Sequence, residues 1–433
     1  MVEDTNHSKI ERDFEMSKFA LISLVSDQPM PNVMAVLQRE QPEQTEQGEQ
    51  PDRRFTHLEF IVSADKNDPS KYDKRFDQLG KRLEAFFEKR GYIVSRRPPV
   101  DPYNLKNALK GCQDAVDALK KKGYEVVFNI TGGTKIMSLA AYLCAQQKKL
   151  EAIYVESRDR FLISIPPSEN LVNAIETDSL ETERKSLQEE LFREIDVPSY
   201  IALYGREIDT SIQFKDLGQE QINKARIIAQ HYPVSRRCLK HLEDQIKEIY
   251  KRTGTVIWPV QVVLKDLTQL ERDALKGLDA SDILSWDPVQ RILSCDEEQR
   301  RFLKGIWLEV FALDSLAASG LFHDVRGNVK IKDVGEWDVM LTVNAQLAII
   351  ECKSEAKLSD QFGKIRALQR DRGGLYGRSF FIRSGERLDA VHKLAEFYGI
   401  DRVIDAEDLP RLSEIIAQHM GVLPPDKTVI EKG

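Results

Sequence analysis

Gly335-Glu336-Trp337-Asp338-Val339-Met340-Leu341-Thr342-Val343-Asn344-Ala345-Gln346-Leu347-Ala348-Ile349-Ile350-Glu351-Cys352-Lys353 reads as two strands joined by a two-residue turn. Alternation places Glu336, Asp338, Met340 and Thr342 on one face of the first strand and groups Ile349, Glu351 and Lys353 on the second. Leu347 to Ile350 is the continuous apolar run of a fully buried strand. With Asn344-Ala345 as the tip, Val343 pairs with Gln346, and the same register sets Asp338 opposite Glu351 and Glu336 opposite Lys353. Such cross-strand side chains lie roughly 5 Å apart at Cβ. Two carboxylates that close repel unless a positive charge sits between them, and a divalent cation with oxygen ligands is the usual answer. Lys353 then has a task beside them: to orient or activate a water, or to stabilise charge building on a phosphoryl group.

Outward from this hairpin, the segment from about Gln299 to Ala318 predicts a helix, apolar over most of its circumference. Glu309 falls on the edge of the stripe formed by Phe302, Ile306, Leu313 and Leu316, where a carboxylate is costly to bury without a partner. Beside the strand pair it reads as a group that holds a metal or positions its water. Downstream, Gln361, Lys364, Arg366, Arg370 and Arg372 lie on a helix ending at Gly373-Gly374, and Arg378 and Arg383 flank the strand Ser379 to Ile382. Gln361, Lys364 and Arg366 are the candidates to contact a nucleic-acid backbone.

Glu309, Asp338 and Glu351-Cys352-Lys353 together resemble the PD-(D/E)XK motif of restriction-endonuclease-like nucleases. The resemblance implies an α/β nuclease domain in which Asp338, Glu351 and Glu309 hold a divalent metal, Mn or Mg, and Lys353 assists the chemistry.

A second site is written into the N-terminal part. Glu125 to Ile130 is a buried strand, and Thr131-Gly132-Gly133-Thr134-Lys135 turns it into a helix from Ile136 to Gln147. Backbone N–H groups at such a helix start attract anions. The lysine does not follow the P-loop spacing, which excludes an ordinary nucleotide triphosphatase. Lys18 to Val25 reads as another strand, and Ser26-Asp27-Gln28-Pro29-Met30-Pro31-Asn32 leads into a helix from Val33 to Gln38. A further strand, Leu58 to Val62, ends in Ser63-Ala64-Asp65. In one α/β domain these loops share the carboxyl edge of a parallel sheet, where ligands bind. The ligand-binding candidates are therefore Ser26, Asp27, Gln28, Pro29, Asn32, Ser63, Asp65, Thr131, Gly132, Gly133, Thr134 and Lys135.

The Ser26 to Asn32 loop and the Thr131 to Lys135 turn resemble those of CARF domains, the Rossmann-like sensors of cyclic oligoadenylates in type III CRISPR immunity. The whole chain resembles the CARF-fused PD-(D/E)XK ancillary nucleases. That resemblance implies a homodimer, one cyclic oligoadenylate (most often cyclic tetra-adenylate) across the sensor pair, and DNA or RNA as substrate.

The chain has 433 residues and a net charge of −7, which argues against a generic nucleic-acid coat and leaves binding to local patches. No run matches a membrane helix or a signal peptide, so a cytoplasmic enzyme with no membrane partner is expected. Cys112, Cys144, Cys238, Cys295 and Cys352 lack zinc or disulfide spacing, and the histidines form no cluster. The expected architecture is a flexible arm over 1–17, a sensor over 18–165, a linker helix and mainly helical centre over 166–300, and a nuclease domain over 301–433. Gln38 to Arg54 reads as a flexible loop, Asp178 to Glu194 as a charged helix, and Tyr200 to Tyr204 as a strand. Separate helices are expected over Gln219 to Gln230 and Pro233 to Arg252, with Trp258 and Trp286 in the core; a winged-helix-like element suits this region. A ligand-gated nuclease is the leading reading, and a CARF-based nucleic-acid-binding regulator without nuclease activity is the alternative. A sensor that also degrades its own ligand is a third.

Overall fold

The computed structural model describes residues 18–39, 44–45, 48–49, 54–156, 161–167, 183–187, 192–353, 362–363, 365 and 377–423. The chain divides into two compact units, Met1–Leu191 and Phe192–Gly433. The stretch 166–300, set apart on sequence, is divided between them.

In the first unit, in chain order, are β1 (Lys18–Leu24), α1 (Met30–Leu37), β2 (Gln44–Thr45), β3 (Gly48–Glu49), β4 (Phe55–Ile61), α2 (Lys74–Glu88) and β5 (Ile93–Arg96). Then come α3 (Leu105–Lys121), β6 (Tyr124–Asn129), α4 (Lys135–Lys148), β7 (Ala152–Glu156), β8 (Phe161–Ile165) and β9 (Glu183–Ser186). Seven strands form one sheet in the order β5-β4-β1-β6-β7-β8-β9. β1 pairs in parallel with both β4 and β6, so the chain runs to one side of β1 and returns on the other. That reversal makes a crevice at the carboxyl ends of these strands. One face buries Ala20, Ile22, Leu24, Val126 and Phe128 against Ala108, Cys112, Ala115 and Val116 of α3 and Met137, Ala141 and Cys144 of α4. Glu183 to Ser186 was expected within a charged helix and is instead an edge strand, antiparallel to β8. Between β1 and β4 the short ladder of β2 and β3 stands where sequence suggested only loop. The 1–17 arm lies outside the described residues.

The second unit begins with α5 (Val197–Leu203), β10 (Ile208–Gln213), α6 (Gln219–Thr253), β11 (Val260–Val263), α7 (Gln269–Asp279), β12 (Ser285–Asp287), β13 (Ile292–Cys295) and α8 (Glu297–Arg301). It continues through a π-turn at Phe302–Ile306 into α9 (Trp307–Ala318), β14 (Asp324–Ile331), β15 (Gly335–Val343), β16 (Gln346–Lys353), β17 (Gly377–Arg383), α10 (Asp389–Tyr398), β18 (Arg402–Ile404) and α11 (Leu412–His419). A six-stranded sheet, β10-β14-β15-β16-β17-β18, is antiparallel up to β16 and parallel beyond it. Val325, Val339, Leu341, Ala348 and Ile350 bury one sheet face with Trp307, Leu308, Leu313 and Leu316 of α9. Gly327 permits close approach there, since a Cβ would lie 2.7 Å from a methyl of Leu313.

Tyr200 to Tyr204 is helical rather than extended. Asp196 caps α5 by accepting from the Ser199 N–H at 2.8 Å, Pro198 sits in its first turn, and Val197, Tyr200, Ile201 and Leu203 are buried. The two helices expected around Pro233 are one, α6, with the proline inside it. Trp286 is buried and Trp258 packs on the same core. β11, β13 and β12 form a small antiparallel sheet beside α6 and α7. On α7, Lys276 pairs with Asp273 at 3.7 Å and buried Glu271 pairs with Arg237 of α6 at 2.8 Å. All five cysteines are buried and free. Among the described residues no helix is long and apolar enough to cross a membrane.

Candidate active site and sensor loops

The hairpin forms as its sequence requires. Asn344 and Ala345 take φ of 53° and 59°, as a two-residue primed turn needs, and Val343 pairs with Gln346. The ladder continues through Val339 and Ile350 and stops there, one pair short of Asp338 and Glu351. Asp338 instead turns its carboxylate across the gap. Its Oδ2 accepts from the Cys352 N–H at 2.6 Å and from Lys353 Nζ at 3.1 Å. Lys353 Nζ lies 2.8 Å from Glu351 Oε1 as well. The Lys353 ammonium thus lies against both neighbouring carboxylates. Glu336, aligned with Lys353 by the predicted register, is exposed outside this group.

Burial pulls the Lys353 ammonium down, but Asp338 and Glu351 outweigh it and leave the group well above an ordinary lysine. It stays protonated at neutral pH, which makes it a donor rather than a base.

Glu309 stands in the first turn of α9, just after the helix is kinked at Gly305 within the π-turn. The expected single helix from Gln299 is thus α8, the π-turn and α9 in succession. π-turns within helices recur at functional sites. The Glu309 carboxylate makes no hydrogen bond or ion pair among the described residues. Burial first, then the charge of Asp338, lifts its pKa from 4.5 to about 7, with Glu351 and Glu336 adding to the rise and Lys353 opposing it. The four residues singled out on sequence therefore share one electrostatic field. They do not form a ready-made cage: among the described residues no three His, Cys, Asp or Glu side chains are gathered to hold a metal. Their chemistry nonetheless fits a hard divalent cation, because the donors are carboxylate oxygens and one of them lacks any counter-charge of its own.

Gln361, Lys364 and Arg366 lie outside the described residues. Between them Phe362, Gly363 and Ile365 are helical, with Phe362 and Ile365 buried and the Phe362 ring edge-on to Phe381 at 4.9 Å. Arg378 and Arg383 are not open phosphate contacts: Arg378 pairs with Asp401 at 3.2 Å and Arg383 with buried Asp405 at 3.0 Å.

In the first unit the three predicted loops leave the carboxyl ends of β1, β4 and β6, which are adjacent. Gly132 is required because a Cβ there would meet the Leu24 carbonyl oxygen at 2.1 Å, and Gly133 because its φ is +74°. Thr134 caps α4, accepting from the Met137 N–H at 3.2 Å and donating to the Pro102 carbonyl at 2.5 Å. Lys135 is exposed at the start of α4. Asn32 and Ser63, predicted to face a ligand, are 1% and 2% exposed and build the floor instead. Asn32 donates to the Leu24 carbonyl at 3.4 Å and accepts from Asn129 at 3.2 Å, while Asn129 accepts from the Thr131 hydroxyl at 2.7 Å. Asn129 ties two loops together and was not singled out on sequence; its signal is a carboxamide closing an otherwise apolar strand. Pro29 is buried and starts α1 without a side-chain cap, although short polar side chains had suggested one. Ser26 folds back on Gln28, Asp27 pairs with Arg75 at 3.0 Å, and Asp65 accepts from the Asn67 N–H at 2.8 Å.

Helix, hairpin and carboxylate–ammonium group thus stand in the order that the sequence pattern implied. Residues 296–422 match the family model of the Card1-like endonuclease domain. Glu309, Asp338, Glu351 and Lys353 all fall within that Card1-like stretch. Residues 101–168 match the model of a CRISPR-associated protein family, Cas_APE2256, and include the Thr131 to Lys135 turn. No curated protein matches the chain at a significant level. Among solved structures, protein VC1899 from Vibrio cholerae is similar at 19% identity and a TM-score of 0.67, over 93% of this chain and 98% of that one. Can2 from Sulfobacillus thermosulfidooxidans, solved in complex with cyclic tetra-adenylate, is similar at 18% identity and a TM-score of 0.62, over 93% of this chain and 99% of that one. The fold is therefore shared over 93% of the chain: a Rossmann-like unit followed by an α/β unit that carries the Card1-like endonuclease match.

Proposed function

We propose that this chain is a metal-dependent endonuclease of type III CRISPR defence, switched on by a cyclic oligoadenylate and acting in the cytoplasm as a homodimer. The observation that carries the reading is the convergence of Asp338, Glu351 and Lys353 at the broken end of the hairpin, with Glu309 in their field. A fold that needed these strands only for packing gains nothing from a half-buried carboxylate without a counter-charge. The Card1-like match over the same residues supports it.

In this reading Asp338, Glu351 and Glu309 hold Mn or Mg, which when bound polarises the phosphate and acidifies a water. Lys353, kept protonated, donates to the attacking water or to a phosphoryl oxygen as charge develops. Glu309, half-buried in the first turn of α9 beside this group, supports the metal or positions its water. In the sensor, the N-terminus of α4 with Lys135, Thr134 and the Ser26 loop offers N–H groups and a cation to the ring's phosphates. The cyclic tetra-adenylate in the complex of the Can2 structure makes that ring the first activator to try. The ligand switches the enzyme by favouring one arrangement of the protein over another.

One assay tests the whole reading: cyclic tri-, tetra- and hexa-adenylate crossed with DNA and RNA, each with Mn, Mg or EDTA. Cutting that requires both an activator and a metal is the expected result, and a chain inert in every arm rejects it. For the sensor, Thr134→Ala is expected to remove the α4 cap at a cost of about 1 kcal/mol and to weaken cyclic tetra-adenylate binding about tenfold, roughly 1.4 kcal/mol. Calorimetry showing wild-type affinity in that variant removes Thr134 from the pocket.

A further inference from the structure

β14 runs beside the catalytic strand and is out of line at one residue. Asn328 lies in its interior with φ of +46°, in the left-handed region that strands do not use. The β14–β15 register passes from Gly327↔Val339 to Val329↔Trp337, so Asn328 falls opposite Asp338. On its other side β10 shifts register between Ile208 and Thr210 and again between Thr210 and Ile212, next to the same stretch. Irregularities of this kind re-aim side chains and cluster beside active sites. Asn328 is half-buried, and its carboxamide makes no hydrogen bond among the described residues.

The centre it adjoins is short of donors. Asp338, Glu351 and Glu336 all bear on Glu309 with negative charge, against which Lys353 acts. A phosphodiester is itself an anion and must enter that field. A carboxamide offers two N–H donors without adding charge and without drawing Lys353 from its carboxylates. We propose that Asn328 is a further catalytic residue of this site, its side-chain N–H donating to a non-bridging oxygen of the scissile phosphate. The proposal rests on the nuclease reading and assigns a residue outside the helix-strand-strand motif.

A plainer account holds that asparagine stands here because it tolerates a positive φ. Glycine would then serve as well or better, which gives the test. Full-length wild type, Asn328→Gly and Asn328→Asp are compared on fluorophore–quencher DNA and RNA oligonucleotides with cyclic tetra-adenylate and Mn, alongside thermal unfolding and activator titration. Asn328→Gly is expected to unfold at or above the wild-type temperature and to keep KM and activator affinity, yet to lose about 100-fold in kcat, the usual effect of deleting one transition-state donor. Asn328→Asp, which replaces the donor with another carboxylate at the same length, is expected to lose at least as much. Wild-type kcat in Asn328→Gly overturns the proposal and leaves the nuclease reading standing, as does a change confined to KM. A wild-type chain that cuts neither oligonucleotide takes down the reading and the proposal together.

Discussion

Glu351→Ala and Lys353→Ala are each expected to abolish cleavage, by at least about 1000-fold in kcat, or roughly 4 kcal/mol of transition-state stabilisation. Affinity for cyclic tetra-adenylate should remain that of the wild type, because the sensor loops belong to the other compact unit. The size of the effect follows from how tightly the group is tied. Lys353 contacts both Asp338 and Glu351, at 3.1 and 2.8 Å, so deleting either Lys353 or Glu351 alters the charge seen by everything else in the site. The two variants should nevertheless differ in a second measurement. Glu351→Ala removes a ligand and should weaken Mn binding. Lys353→Ala leaves two carboxylates facing each other without the ammonium, and an added cation becomes their remaining means of relief, so Mn binding should tighten. Calorimetry with the metal alone reads this difference without any turnover. Cutting at the wild-type rate by either variant rejects the catalytic assignment, and weakened Mn binding in Lys353→Ala rejects the ammonium as the charge between the carboxylates.

Much of this site was legible in the sequence because strand alternation and turn length are local. Asn344-Ala345 set the register, and the register brought Asp338 toward Glu351. The break in the ladder after Val339 and Ile350 was not legible. It depends on the Asp338 carboxylate capturing the Cys352 N–H, a contact between side chain and backbone that no residue pattern encodes. For the same reason the contact of Lys353 with both Asp338 and Glu351 was not legible. Asn32 shows the limit in the sensor. A polar residue in a ligand-facing loop looks like a contact, and only packing reveals that its carboxamide joins the Leu24 carbonyl to Asn129 beneath the loop. The errors in the central region arose from overriding tertiary context. Pro233 was read as a helix start, yet α6 continues through it with Ile228, Tyr232, Cys238 and Leu242 buried along one side. Val197 to Leu203 has the β-branched and aromatic content of a strand but follows an Asp196 cap that commits it to helix. Asn328 escaped notice altogether, since a backbone angle leaves no mark on composition.

Glu309 should make the metal-free protein lose stability as pH rises. Its pKa in the folded chain is about 7, against an ordinary 4.5, so between those values the folded state holds a proton that the unfolded state has released. Below about pH 4.5 both states are protonated and the residue is neutral in the balance. Through the window the folded state is progressively disfavoured, and above about pH 7 the full cost is present, on the order of 3 kcal/mol. Comparing wild type with Glu309→Gln by thermal unfolding at pH 5 and pH 8 isolates this contribution, because other titrating groups are common to both. The wild type is expected to lose stability relative to the variant on going to pH 8, and saturating Mn is expected to reverse the loss in the wild type only. The sign is what makes the measurement informative. A glutamate that merely lay at the surface would give parallel profiles, and one held by an ion pair would give the opposite slope. Parallel profiles, or a wild type that gains stability toward pH 8, would show that Glu309 is not the buried carboxylate without a counter-charge on which its metal-holding role depends.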